Sequence, residues 1–422
     1  MNILISDILA ILPEGAKTCS VYVSGGSIAS TESAPPGFSA DKTISGVGKM
    51  LIPGLVNAHT HTAMTLFRNC ADDLLFNDWL FGRIMPLEDK LTGEDCYLGT
   101  MLAIMEMLRS GTTAFIDMYY FSDDILRAID ESGIRAAYSR GIAGDASEAE
   151  GKLRSALDDY DRWGGRDKIT FMLAPHAPYT CDEGFQRAVA AEALRRNLPI
   201  NIHIAESLAE IDTIREGYGC TPVELLDRTG LLTDTTVAAH CVHLTDGDIE
   251  ILARRGVSVV TNPVSNLKLA NGVAPVPKML HAGINVALGT DGASSNNSLN
   301  MIRELSMLSL VHKGINHDAQ AVTASEGLAI ATKNGARAMG LSNSGEIRPG
   351  YAADLAILDL DRPNMRPLGD PVAALAYSAN GGEVETVIVG GDVIMENKEF
   401  LTIDSDKILF EVGKTCERLG IQ

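Results

Sequence analysis

Residues 51–61, LIPGLVNAHTH, begin as an apolar strand and close on two histidines one residue apart. Side chains two apart on a β-strand point to the same face, so His59 and His61 converge on one spot. An isolated pair of this kind is more often polar decoration of a solvated strand. Here Leu51, Ile52, Leu55 and Val56 read as core, and two imidazoles closing a buried strand need partners, which a metal ion would provide. Further ligands at matching places would decide between the two readings.

The rest of the chain supplies such places by repetition. Short runs rich in Val, Ile, Ala and Thr recur at 51–59, 111–119, 134–142, 168–176, 199–206, 235–242, 257–264 and 284–291, with helical periodicity between them. Helix candidates such as EDCYLGTMLAIMEMLRSG and EGFQRAVAAEALRRN end near Gly or Asn, as helices do. Eight such units predict an α/β fold, a (β/α)8 TIM-like barrel over residues 53–345. Residues 1–52 and 346–422 read instead as short strands and turns, the second ending in a helix. Neither offers much core alone, so both are expected to join in one small β-sandwich domain.

Composition narrows the partners. The chain has 422 residues, 45% of them hydrophobic, enough for more than one domain. A net charge of −20 without a basic patch argues against nucleic acid and anionic membranes as partners. No apolar run reaches membrane-spanning length, and the first residues lack the basic and small-residue signals of a secretory leader, so a cytoplasmic protein is expected. The seven cysteines are scattered, with no CxxC, which fits reduced thiols rather than disulfides or a thiolate metal site. Cys241, beside His240, is the one placed near the chemistry, and it reads as a small buried residue.

Catalytic groups of such barrels sit at the C-terminal ends of strands. Those ends carry His59 and His61 on the first strand, His176 on the fourth, His203 and Glu206 on the fifth, His240 on the sixth and Asp291 on the eighth. Five of the nine histidines thus fall where the fold gathers side chains. His59, His61, His203 and Asp291 form an N3O donor set for one divalent ion, most simply zinc with iron as the second choice, leaving a position for water. Such an ion lowers the pKa of water from about 15.7 to roughly 7. Glu206, three residues past a ligand, reads as the acid/base group, with His240 orienting the hydroxide and Asp291 shuttling its proton. His312 and His317 fall to core or surface, His281 to a helix C-terminus, and His243 is evenly divided between support of the site and structure.

With these residues in view, PGLVNAHTH, HIAES, HCVHL, NPVSNLKLANGVAPV and LGTDGASSNNSLN resemble the amidohydrolase superfamily. Within it the chain is similar to the 5-methylthioadenosine/S-adenosylhomocysteine deaminases over nearly its whole length. The resemblance implies a site with one metal: relatives with two use a lysine at the end of the fourth strand, whereas Lys168 lies at the start of that strand here. It further implies that Glu88 accepts both ribose hydroxyls, that His176 contacts purine or ribose, and that Arg140 meets the amino-acid carboxylate of S-adenosylhomocysteine. Where some relatives have a second arginine, this chain has Lys152, which keeps the charge and loses the planar fork. Uncharged 5'-substituents therefore rank at least level with S-adenosylhomocysteine.

The expected reaction is hydrolytic deamination at C6 of adenosine-type nucleosides (5-methylthioadenosine, S-adenosylhomocysteine, 5'-deoxyadenosine, adenosine) by metal-bound hydroxide. The alternative within enzymes is another ring, guanine, cytosine or triazine, on the same barrel. A non-catalytic scaffold is the rival of another class, and the full ligand set argues against it. A homo-oligomer is expected from the family alone.

Overall fold

The computed structural model describes residues 1–421. Eight parallel strands follow one another in chain order: β1 (Leu55–Thr60), β2 (Thr112–Tyr119), β3 (Arg135–Ile142), β4 (Ile169–Pro175), β5 (Ile200–Ile204), β6 (Thr236–His240), β7 (Ser258–Thr261) and β8 (Asn285–Leu288). Where β8 returns to β1, the barrel closes through the Asn57 side chain. Its Oδ1 accepts the Thr290 N–H at 2.9 Å and its Nδ2 donates to Thr290 Oγ1 at 2.7 Å. One residue on, the Asp291 N–H donates to the His59 carbonyl at 2.9 Å. The closing seam thus brings two of the expected ligands together.

The opening stretch divides between two sheets. Residues Lys49–Pro53 form a strand of a nine-stranded mixed sheet built from both chain ends, and only from Leu55 does the chain enter the barrel. Lys49–Pro53 runs antiparallel to Leu355–Asp359 and parallel to Ile3–Leu12. Alternation sorts its side chains: Met50 and Ile52 join the core shared with the barrel, and Leu51 joins Ile5, Val21 and Ile357 in the terminal sheet's own core. Gly54 makes the crossing, since a Cβ there would lie 2.0 Å from Thr113 Oγ1.

Small and branched side chains fill the inside of the barrel. Val56, Ala58, Ala114, Ile116, Ala137, Val237, Val260 and Ala287 pack together, closed at one end by Ala336 of the helix Lys333–Ala338. At that end the barrel meets the terminal sheet through Arg135 on Asp354 at 3.3 Å and Lys168 on Asp392 at 2.9 Å. The final helix, Ser405–Leu419, lies against the barrel helix Gly93–Arg109, with Arg418 paired to Asp95.

Several strands end earlier than their apolar runs. Residues 205–206, 241–242 and 289–291 lie outside the strands, and 263–264 open the short helix Pro263–Lys268. Ala205, His240, Cys241 and Asp291 all have positive φ, between 49° and 72°. Left-handed non-glycine backbone costs energy and persists only where surroundings hold it. These corners turn functional side chains inward. The stretch 63–90 is largely helical, with Thr62–Phe67, Phe76–Trp79, a π-turn Leu80–Ile84 and Met85–Glu88. No described helix is long and apolar enough to cross a membrane.

Candidate metal centre and active site

In the corner His59-Thr60-His61-Thr62, alternation sends the threonines away from the histidines. Buried Asp117 on β2 takes them: its Oδ1 lies 2.8 Å from Thr60 Oγ1 and accepts the Thr62 N–H at 2.8 Å, and its Oδ2 accepts the Thr62 hydroxyl at 2.8 Å. The pinned threonines leave both imidazoles on the barrel axis.

Ring protonation follows from the partners. His61 Nδ1 faces the Met118 carbonyl at 2.7 Å, and His203 Nδ1 faces the His176 carbonyl at 2.7 Å. A carbonyl can only accept, so both protons sit on Nδ1. Both Nε2 atoms then present lone pairs to each other at 3.2 Å. That arrangement is repulsive unless a cation lies beside it. His59 is fully buried, and neither of its ring nitrogens has a hydrogen-bond partner. Its Nε2 and that of His61 stand 3.6 and 3.4 Å from Asp291 Oδ1.

Electrostatics agree with a cation site. Burial pushes His59 down to about 4 against the pull of Asp291, and burial with the neighbouring imidazoles holds His203 well below its usual range. Asp291 is buried, which alone would raise it, yet the close approach of His59 and the other surrounding imidazoles hold it well below the usual carboxylate range. Its second oxygen accepts the hydroxyls of Ser265 at 2.6 Å and Ser295 at 2.8 Å. Three imidazoles and one carboxylate suit zinc, so the residues present fit the expected ion.

Glu206 and His240 stand beside this set. Glu206 Oε1 accepts Asn271 Nδ2 at 3.1 Å, and Oε2 lies 3.9 Å from His240 Nε2. Burial raises the Glu206 pKa against the pull of His240, the direction a proton donor needs. Burial would lower His240, but the Glu206 and Asp291 carboxylates and Asn266 outweigh it and raise the ring. His240 Nδ1 meets Asn266 Oδ1 at 2.9 Å, which aims Nε2 into the cavity.

That cavity, about 510 Å³, is lined by His61, His176, His203, Glu206, His240 and Asp291, and also by Glu88, Arg140 and Lys152. Glu88 Oε1 accepts the Tyr119 hydroxyl at 2.7 Å, and burial raises its carboxyl. His176 is pushed down to about 4 by burial and two neighbouring imidazoles, with Nδ1 3.0 Å from Thr180 Oγ1. Arg140 Nη1 donates to Ser122 Oγ and to buried Asp159, each at 3.0 Å. Lys152 Nζ donates to the Ala143 carbonyl at 2.6 Å and lies 3.4 Å from Glu148. Both cations therefore reach the cavity already partnered. Lys168 lies at the far end, as its place at the start of β4 requires.

Of the remaining histidines, His281 ends the helix Val276–His281, His312 is buried in Met301–Asn316, and His317 caps that helix. His243 has a buried, unpartnered Nε2 and does not line the cavity. Cys241 is buried, and its thiol is pushed up by burial, away from reactivity. Sequence reasoning missed the groups that hold the others: Asp117, Ser265, Asn266, Asn271, Ser295 and the carbonyl of His176. Most of them lie in NPVSNLKLANG and LGTDGASSNNS, where clustered Ser and Asn after a strand end were the available signal.

Comparison with known proteins agrees with this architecture. The amidohydrolase family profile matches residues 50–394. The 5-methylthioadenosine/S-adenosylhomocysteine deaminase of Carboxydothermus hydrogenoformans is 49% identical over 376 residues, covering 88% of this chain and 87% of that protein. Its namesake in Caldanaerobacter subterraneus subsp. tengcongensis is 45% identical over 427 residues, 99% of both. An adenosine deaminase from Xanthomonas campestris, solved with bound zinc, superposes with a TM-score of 0.95 at 34% identity over 99% of this chain and 98% of that one. An atrazine chlorohydrolase from Arthrobacter aurescens, at 23% identity and TM-score 0.92 over 98% of this chain and 99% of its own, shares the fold. The chain belongs to the amidohydrolase family and, within it, to the 5-methylthioadenosine/S-adenosylhomocysteine deaminases.

Proposed function

We propose that the protein hydrolyses the C6 amine of adenosine-type nucleosides, 5-methylthioadenosine, S-adenosylhomocysteine, 5'-deoxyadenosine and adenosine, giving ammonia and the inosine analogue. The observation that carries this reading is one cavity lined by His61, His203 and Asp291, with buried His59 beside them, and by Glu206, His240 and Glu88, a carboxylate suited to a ribose diol. A free guanine, cytosine or triazine offers Glu88 no diol, which favours the nucleoside over the other rings.

In this reading, His59, His61, His203 and Asp291 hold a divalent ion. When bound, that ion supplies a water acidic enough to attack near neutral pH. Glu206 gives its proton to N1, drawing electrons from C6 as the ring carbon becomes tetrahedral. His240, aimed through Nε2 by Asn266, orients the attacking oxygen. Asp291, fixed by Ser265 and Ser295, carries a proton from that oxygen to the departing amine. The last hydroxyl proton returns to Glu206 as the C6 carbonyl forms. Arg140 and Lys152 face the 5'-substituent. Because both are already partnered, uncharged substituents stand level with or above the charged amino acid of S-adenosylhomocysteine. Zinc rather than iron, a homo-oligomer and a cytoplasmic setting complete the reading.

The test is ammonia release by the metal-loaded protein over the four nucleosides and over adenine, guanine and cytosine, for wild type and Glu206→Gln. Turnover confined to nucleosides is expected, and the variant should keep its metal while losing about 10²–10⁴-fold in kcat. Activity only on free bases would refute the substrate class. Metal lost along with activity would make Glu206 structural.

A further inference from the structure

Five of the described helices begin with the pattern Ser/Thr-x-x-Asp/Glu. In four of them, Thr92/Asp95, Thr221/Glu224, Thr245/Asp248 and Thr323/Glu326, the acidic side chain turns back to its own cap N–H, closing the reciprocal box. The fifth, Ser207-Leu208-Ala209-Glu210, behaves differently. Ser207 Oγ accepts the Glu210 N–H at 3.3 Å as usual. The Glu210 carboxylate instead reaches past the cap: Oε1 accepts the Ala205 N–H and Oε2 the Glu206 N–H, each at 2.9 Å. Glu210 is 3% exposed.

The corner it grips is the one that aims Glu206. Ala205 has φ 52°, a conformation that a side-chain-bearing residue holds only under constraint. Consecutive N–H groups at such a corner form a nest for an anion, and the Glu210 carboxylate fills it. From the other side, the Ala205 carbonyl accepts the N–H groups of Val242 and His243, each at 3.0 Å, and the Ile204 carbonyl accepts that of Cys241 at 2.9 Å. The left-handed corners after β5 and β6 are therefore bonded to one another, with the 3.9 Å approach of Glu206 to His240 at their tips.

We propose that Glu210 is a positioning residue: by holding the Ala205 and Glu206 N–H groups it sets the Glu206 carboxylate against the purine ring and beside His240. The inference rests on the reading of Glu206 as the ring-proton donor. Glutamine at 210 keeps the shape but offers one acceptor, so one corner N–H faces a donor. Aspartate keeps the charge and withdraws the grip by one methylene. A displacement of about 1 Å in a catalytic group can cost about 100-fold.

The test uses the metal-loaded enzyme. Glu210→Gln and Glu210→Asp are expected to lower kcat about 10- to 100-fold, with KM within threefold of wild type and metal content unchanged. Affinity for a tetrahedral 1,6-dihydropurine nucleoside analogue should weaken in step with kcat/KM, while affinity for the inosine product holds. Ser207→Ala, which removes the ordinary cap and leaves the grip, should lower the melting temperature and keep kcat. Glu210 variants that behave as Ser207→Ala does, that lose analogue and product binding alike, or that fail to fold would overturn the proposal. If Glu206→Gln itself retains turnover, the reading beneath the proposal fails. If Glu206→Gln is inactive and the Glu210 variants are not, the proposal alone fails.

Discussion

Replacing Gly289 by alanine should weaken metal binding in an otherwise folded protein. Gly289 lies between the end of β8 and Asp291, and a Cβ there would come within 2.5 Å of Asn262 Oδ1 and within 2.9 Å of both the Cβ and the backbone N of His59. The amide can swing aside, but the His59 contacts belong to a strand. Ordinary carbon contacts begin near 3.5 Å, so the seam must open by roughly half an ångström, against a tolerance of about ±0.2 Å in metal–ligand distances. Overpacking of this kind costs about 1–3 kcal/mol. Disturbing the support of a ligand costs roughly 10- to 100-fold in metal affinity. Chelator competition followed by metal analysis reads this directly. Gly314→Ala is the control, since nothing lies within 4 Å of its Cβ position in the helix Met301–Asn316. It should leave affinity unchanged and add about 0.5–1 kcal/mol of stability. Metal affinity in Gly289→Ala within twofold of wild type would refute the claim that the seam sets the ligand geometry.

Two further outcomes follow from other parts of the molecule. Glu304 is buried against Asn296 Nδ2 at 2.7 Å and the Val264 N–H at 3.2 Å, and burial pushes its carboxyl up to about 8. The folded chain therefore keeps a proton that the unfolded chain releases near pH 4.5. The stabilisation is full below that pH and is lost as pH rises through about 8. Glu304→Gln, which has no such proton, should show a smaller fall in melting temperature between pH 5.5 and 8.5; parallel profiles would show that Glu304 does not titrate in this way. Glu88→Ala should cut kcat/KM for nucleosides by about 10- to 100-fold, the worth of one charge-assisted hydrogen bond at about 1.5–3 kcal/mol. Unchanged nucleoside turnover would remove the ribose from the reading.

The barrel was legible because its signals are local. Each strand is a short apolar run between turns, and a parallel sheet covered on both faces leaves such runs nearly unbroken. The histidines at strand ends were legible for the same reason, since a period of two residues places His59 and His61 on one face without reference to the rest of the chain. The terminal sheet was legible only as a need, two chain ends short of core. Its pairing of Lys49–Pro53 with Leu355–Asp359 joins residues some 300 positions apart, and no local pattern encodes a partner at that distance.

The sequence by itself therefore determined which residue types meet at the mouth of the barrel, because fold and periodicity carry them there. What it could not determine was how each one is held. The strand ends at residues 205, 240 and 291 read as extended, yet they turn left-handed, because the cost of that backbone is met by hydrogen bonds from elsewhere in the chain. Glu210 stands at the third position of an ordinary cap pattern and reaches the corner behind Glu206; Ser265 and Ser295 converge on Asp291 from two different short helices. A hydrogen bond is decided by direction and by tenths of an ångström. Those quantities exist only once the strands, corners and loops are packed together.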